Sequence, residues 1–200
     1  MTSPVRTSAR AARRMRTRER ILTAAIAEFT RSGMAHADVN AIAAAAGVAH
    51  STFFFHFPSK EHVLLELETR EESRIAAEFA AFLEQRHDLA TTLTKVVELV
   101  TDLESRFGPV LFKELLALHF SPTRPSADDW TDHPVIVLLV RELERARGDG
   151  EVHPEVDAFF TATFFLLGIY GVLTTVDDTG TRDAMLAKSV ATAVRGLKVR

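Results

Sequence analysis

Residues 38–60 read DVNAIAAAAGVAHSTFFFHFPSK, from Asp38 to Lys60, and the fold of the N-terminal part turns on how this stretch is punctuated. Asp38 is a good N-cap, because its carboxylate can accept the orphan N–H groups of a first helical turn. The residues that follow it, Val39, Ile42, Ala43 and Ala46, fall on one helical face. Gly47 then supplies a turn residue at positive φ, where glycine costs least. A further short helix runs from about Ala49 or His50 to Phe57 and is stopped by Pro58. Two short helices joined by a tight glycine turn make a helix-turn-helix, whose second helix enters the major groove of a duplex. His50, Ser51 and Thr52 stand at the N-terminal end of that second helix, where side chains reach base edges and the helix dipole favours phosphate.

The flanks agree with this reading. Upstream, Ile21, Leu22, Ala25, Ile26 and Phe29 share one face of a helix that Gly33 ends. Ahead of it lie seven arginines within the first twenty residues. Residues 1–60 hold nine basic side chains against three acidic ones, a balance of +6, while the whole chain carries −3 and the remainder therefore −9. Such asymmetry points to a basic N-terminal part that meets a polyanion and an acidic body that does not. Downstream, Ser59 caps a long fourth helix reaching about Arg86.

The rest of the 200-residue chain is punctuated into helices at roughly 88–106, 109–120, 132–147, 155–176 and 181–197. Pro122, Pro125 and Asp128-Asp129 mark one loop and Gly148-Asp-Gly150 another. No run of period two appears, so the expected class is all-α with about nine helices. Ala158 to Val176 is free of charge, close to the length of a membrane span, but its threonines and glycines make it only moderately apolar. It reads as a helix buried within the protein or against a second subunit, with no membrane partner. With the final helix, whose stripe is Leu186, Val190, Ala193, Val194 and Leu197, it forms an αα-hairpin with enough apolar surface for another subunit to cover.

Several functions are disfavoured. Without cysteine there is no disulfide framework, thiolate nucleophile or Cys-based metal site, and a cytoplasmic setting fits. The eight histidines are scattered, with no HExxH, and the chain has no GxSxG, P-loop or dinucleotide glycine motif. Neither a catalytic residue, a metal ligand nor a cofactor site is therefore assigned.

Taken together, Arg20-Ile-Leu-x-Ala-Ala-Ile-x-x-Phe29, Gly33, Val39-x-x-Ile42-Ala43-x-x-Ala46-Gly47-Val48 and Ser51-Thr52-Phe-Phe-Phe-His56-Phe57-x-Ser59-Lys60-Glu61 resemble the N-terminal domain of TetR-family transcriptional regulators. The resemblance covers about the first third of the chain. It implies a homodimer whose last two helices pair into a four-helix bundle, a palindromic DNA operator, and a C-terminal pocket whose small-molecule ligand releases the DNA. Position by position, it implies base-edge and nearby backbone contacts for His50, Ser51 and Thr52. Phe54, Phe55, His56 and Lys60 fall where the family commonly contacts phosphate, and Asn40 where some members add a base contact, its amide being suited to adenine. Phe53 and Phe57 should be core.

Two departures stand out. The family usually has Tyr at position 54 and often at 55, so phenylalanine removes a phosphate-binding hydroxyl at each, about 0.5–1.5 kcal/mol per bond. Ala49 stands where Ser or Thr would cap the second helix, at about 1 kcal/mol. Arg14 and Arg16 of a basic arm, with Arg18 just beyond it, are expected to compensate on the DNA backbone or in the minor groove.

The expected organisation is thus a flexible basic arm at 1–16, a helix-turn-helix domain at 17–58 and a helical ligand-binding and dimerisation domain at 59–200. A hydrophobic or aromatic effector is expected from the aromatic content of the last part. Its candidate contacts are Phe112, Leu116, His119, Trp130, Thr163, Phe165 and Tyr170. The competing readings are an architectural DNA-binding protein of low specificity, and a helical carrier or enzyme with a vestigial DNA reader.

Overall fold

The computed structural model describes residues 4–121, 124–125 and 133–199, with side chains from residue 9 onward. Eight helices occur among the described residues: α1 (Pro4–His36), α2 (Val39–Ala45), α3 (His50–His56), α4 (Lys60–Phe82), α5 (Leu89–His119), α6 (Pro134–Gly148), α7 (Ala158–Thr175) and α8 (Thr179–Leu197). The expected helices at 88–106 and 109–120 are the two segments of α5, which breaks at Gly108 with φ 73° and ψ 164° ahead of Pro109. No β-strand forms among the described residues beyond an isolated bridge between Val152 and Lys198. The loop expected around Pro122 and Asp128-Asp129 falls largely outside the described residues.

The chain forms two compact units, one of residues 1–68 and 110–125, the other of residues 69–109 and 126–200. In the first unit α1 packs on α2, and α2 on α3. Its centre is Ile21, Leu22, Ala25 and Phe29 from α1, Ile42, Ala43 and Ala46 around α2, and Phe53 and Phe57 at α3. The two phenylalanines are fully buried, and each contributes about 1.5–3 kcal/mol by leaving water. Val63 and Leu64 of α4, with Leu111 and Phe112 of α5, complete this core.

Local chemistry sets the entries of these helices. The Asn40 N–H donates to the Asp38 carboxylate at 2.8 Å, the expected N-cap. Gly47 adopts φ 63°, and the Val48 N–H donates to the Ala43 carbonyl at 2.9 Å, closing α2. Ala49 offers α3 no side-chain cap, as its methyl group dictates.

One expectation is corrected here. Residues 4–16 are not a flexible arm: from Pro4 they are helical and continuous with α1. Arginine, alanine and methionine are good helix formers, and no glycine or proline interrupts the run until Gly33, whose φ of 73° ends the regular helix.

In the second unit α6 packs on α7 and α7 on α8. Phe79, Leu93, Leu99, Leu139, Leu143, Ala162, Ile169 and Leu186 form its centre. Asp157 and Asp178 cap α7 and α8, accepting from the N–H groups of Phe160 at 2.9 Å and Thr181 at 2.7 Å. Glu104, buried in α5, receives Arg182 of α8 at 3.1 Å. α7 has the length and hydropathy of a membrane span, yet 39% of it is already buried within the protein.

Candidate nucleic-acid interface

The outer face of α3 follows from where its phenylalanines go. Burying Phe53 and Phe57, four residues apart, turns positions 50, 51, 54 and 55 to solvent, and His50 and Ser51 are exposed with Thr52 half-buried. Phe54 is 44% and Phe55 68% exposed. The Phe54 ring meets the His50 ring edge-on at 5.0 Å, so these two share a face one turn apart. Asn40 is exposed on α2, its side-chain amide donating to Asp38 at 3.2 Å.

Arginines of α1 run beside this helix. Arg14 is exposed, with its guanidinium 5.5 Å from the centre of the Phe55 ring. Arg16 is exposed as well. Arg20 approaches the turn, one of its terminal nitrogens coming within 4.0 Å of where a side chain on Gly47 would begin.

Three expected phosphate contacts are instead committed inside the domain. Arg18 lies over the Phe57 ring at 4.0 Å, donates through Nε to Glu66 at 2.6 Å and through Nη1 to the His56 carbonyl. It therefore ties α1, α3 and α4 together. His56 is only 7% exposed, and its Nδ1 has no hydrogen-bond partner among the described residues. Burial, then the positive charges of Arg18 and Arg14, pushes its imidazole below the usual range, so the ring sits neutral in the core. Lys60 Nζ donates to the carbonyls of Met34 at 2.7 Å, Ala37 at 3.1 Å and Ala35 at 3.4 Å, which uses its three protons. Sequence reasoning missed these roles because each partner lies 23 to 48 residues away or is a backbone carbonyl.

The expected effector contacts do not gather within one unit. Phe112, Leu116 and His119 belong to the first, where Phe112 is buried, Leu116 is half-buried, and His119 Nδ1 lies 2.5 Å from Glu68 Oε1. Thr163, Phe165 and Tyr170 belong to the second. Phe165 lines a groove of about 600 Å³ between α7 and α8, and the Thr163 hydroxyl is buried without a hydrogen-bond partner among the described residues. Trp130 lies outside the described residues.

Residues 21–67, which contain most of this geometry, match the family described as bacterial regulatory proteins, tetR family. Over 184 residues the chain is 27% identical to the HTH-type transcriptional regulator UidR of Escherichia coli, covering 90% of this chain and 92% of that one. Among solved structures it resembles Thermus thermophilus FadR, a transcriptional repressor in complex with lauroyl-CoA, with a TM-score of 0.69 at 24% identity. That match covers 92% of this chain and 96% of the other. It also resembles SmeT, the repressor of the Stenotrophomonas maltophilia multidrug efflux pump SmeDEF, with a TM-score of 0.67 at 21% identity over 91% and 90% of the two chains. The exposed face of α3, the turn at Gly47 and these matches agree: residues 21–67 carry a DNA-binding domain that matches the tetR family of bacterial regulatory proteins, and most of the chain is similar to an HTH-type transcriptional regulator.

Proposed function

We propose that the protein is a ligand-responsive repressor that binds a palindromic operator as a homodimer and is released by a small hydrophobic or aromatic effector. The observation that carries the reading is the sidedness of α3: Phe53 and Phe57 anchor it, and His50, Ser51, Phe54 and Phe55 face solvent beside exposed arginines of α1. In this reading His50, Ser51, Thr52 and Asn40 read base edges, and Arg14 and Arg16 bind phosphate.

Dimerisation is supported by α7. Phe160, Phe164, Leu167, Gly168 and Gly171 are all exposed and fall at i, i+4, i+7, i+8 and i+11, one stripe of a helix. A side chain added at Gly168 or Gly171 would meet nothing within 4 Å, so neither glycine is required by packing within the chain. Small residues in an apolar stripe suit the close approach of a second copy. Across a two-fold axis, α7 and α8 of one protomer would cover those of its partner.

An apolar effector is supported by the aromatic lining of the groove between α7 and α8, where Phe160, Phe164 and Phe165 supply apolar area and Thr161 and Ser189 offer hydroxyl groups. The lauroyl chain of the lauroyl-CoA bound by Thermus thermophilus FadR is an apolar group of this kind. Such a ligand acts by binding the DNA-incompetent conformation more tightly, and α4 carries the chain directly from α3 to the second unit.

Enriching random duplexes on the full-length protein at moderate salt and sequencing the survivors tests the reading. It expects a palindromic consensus that survives excess unrelated duplex. Enrichment without a consensus favours an architectural DNA-binding protein, and no enrichment rejects DNA as the partner.

A further inference from the structure

The chemistry of Phe54 differs from that of His50 and Ser51, the exposed polar residues on the reading face. Its ring is 44% exposed beside His50, and it carries no donor or acceptor with which to bind phosphate or the polar edge of a base. A phenyl group turned toward the major groove finds one apolar partner among the base edges, the C5-methyl group of thymine. Phe55 is placed differently. It lies about 100° further round the helix, and its ring sits 5.5 Å from the Arg14 guanidinium, a cation suited to the phosphate backbone.

From this we propose that Phe54 is a specificity-determining residue that packs on a thymine methyl group in each half-site, next to the base faced by His50. Four residues of helix rise about 6 Å, so the thymine falls within about two base pairs of that base. The inference rests on the operator-binding reading above and adds to it the chemical group that is recognised.

The consensus duplex obtained by enrichment provides the test. Each thymine of the half-site is replaced in turn, symmetrically, by deoxyuridine, which pairs identically and lacks only the methyl group. Affinities are measured by fluorescence anisotropy for the full-length protein and for F54A, F54Y and F55A, with circular dichroism to verify that each variant is folded. One thymine position should weaken the unsubstituted protein about four-fold per methyl, the ratio equivalent to about 0.8 kcal/mol for one buried methyl group. F54A should respond less than two-fold at that position, while F54Y, which keeps the ring, and F55A should retain the sensitivity.

A consensus-bound protein indifferent to every deoxyuridine, or an F54A that keeps the full methyl response, overturns this inference and leaves the repressor reading standing. Absence of any consensus overturns both.

Discussion

The ammonium group of Lys60, the first residue of α4, lies 2.7 Å from the carbonyl oxygen of Met34 near the end of α1, and it also reaches the carbonyls of Ala35 and Ala37. Carbonyls at a helix C-terminus lack intrahelical donors, and a cation there is favoured by the helix dipole. Lys60→Met keeps the aliphatic stem and removes the donors. It should lower unfolding stability by about 1.5–3 kcal/mol, the usual worth of hydrogen bonds to a charged group. Denaturant unfolding measures this. Unchanged stability together with uniformly weaker DNA binding would return Lys60 to the phosphate backbone.

The helical extension should dominate the salt response. Arg10, Arg13 and Arg16 are exposed on α1 ahead of the family domain. Changing all three to glutamine preserves helix propensity, and should reduce the slope of log affinity against log salt by about 2–3 if each neutralises one phosphate. Anisotropy titrations at several salt concentrations measure that slope, and an unchanged slope would show that the extension stays off the DNA.

Charge on the α7 stripe should separate the protomers. Phe160 and Phe164 are 64% and 66% exposed, with their rings stacked at 5.6 Å. Phe164→Glu places a carboxylate at the centre of the proposed interface, where desolvation opposes it. The variant should run as a monomer in light scattering and lose operator affinity by at least ten-fold while remaining folded. A dimeric variant would move the interface elsewhere.

Acid should weaken the DNA-binding domain through His56. Its folded value is depressed below the ordinary imidazole value of about 6.5 by burial, then by Arg18 and Arg14, so the unfolded chain takes up the proton first. The associated stability is complete above about pH 6.5 and declines as pH falls from there toward the depressed folded value. Carboxylates held low by their partners, such as Glu78 by Lys95 and Asp88 by Thr91, act at lower pH. His56→Gln should flatten the loss of melting temperature between pH 6.5 and 5. The same slope in the variant would assign it to another group.

Much of the reading domain is legible one residue at a time. Asp38 caps, Gly47 turns, Gly33 stops and Ala49 leaves a helix uncapped, because each depends on backbone chemistry within three or four residues. Helical period alone separates Phe53 and Phe57 from Phe54 and Phe55, since positions four apart share a face. The arm was misread for the same local reason. Arginine density suggests a solvated tail, whereas uninterrupted helix formers let α1 continue back to Pro4.

The sequence by itself therefore determined that this protein is all-helical, that a helix-turn-helix occupies residues 38–57, and that Phe53 and Phe57 turn inward while Phe54 and Phe55 face outward. Short-range hydrogen bonding and side-chain period are encoded locally, and they suffice for those conclusions. Only the tertiary structure decided how the charged and polar groups are used. Arg18 over the Phe57 ring, Lys60 on the carbonyls of α1 and His56 in the core look in the sequence like further surface contacts to DNA. A cation serves a carbonyl, a carboxylate or a phosphate equally well, so its role is set by which of these the fold brings within 3 Å.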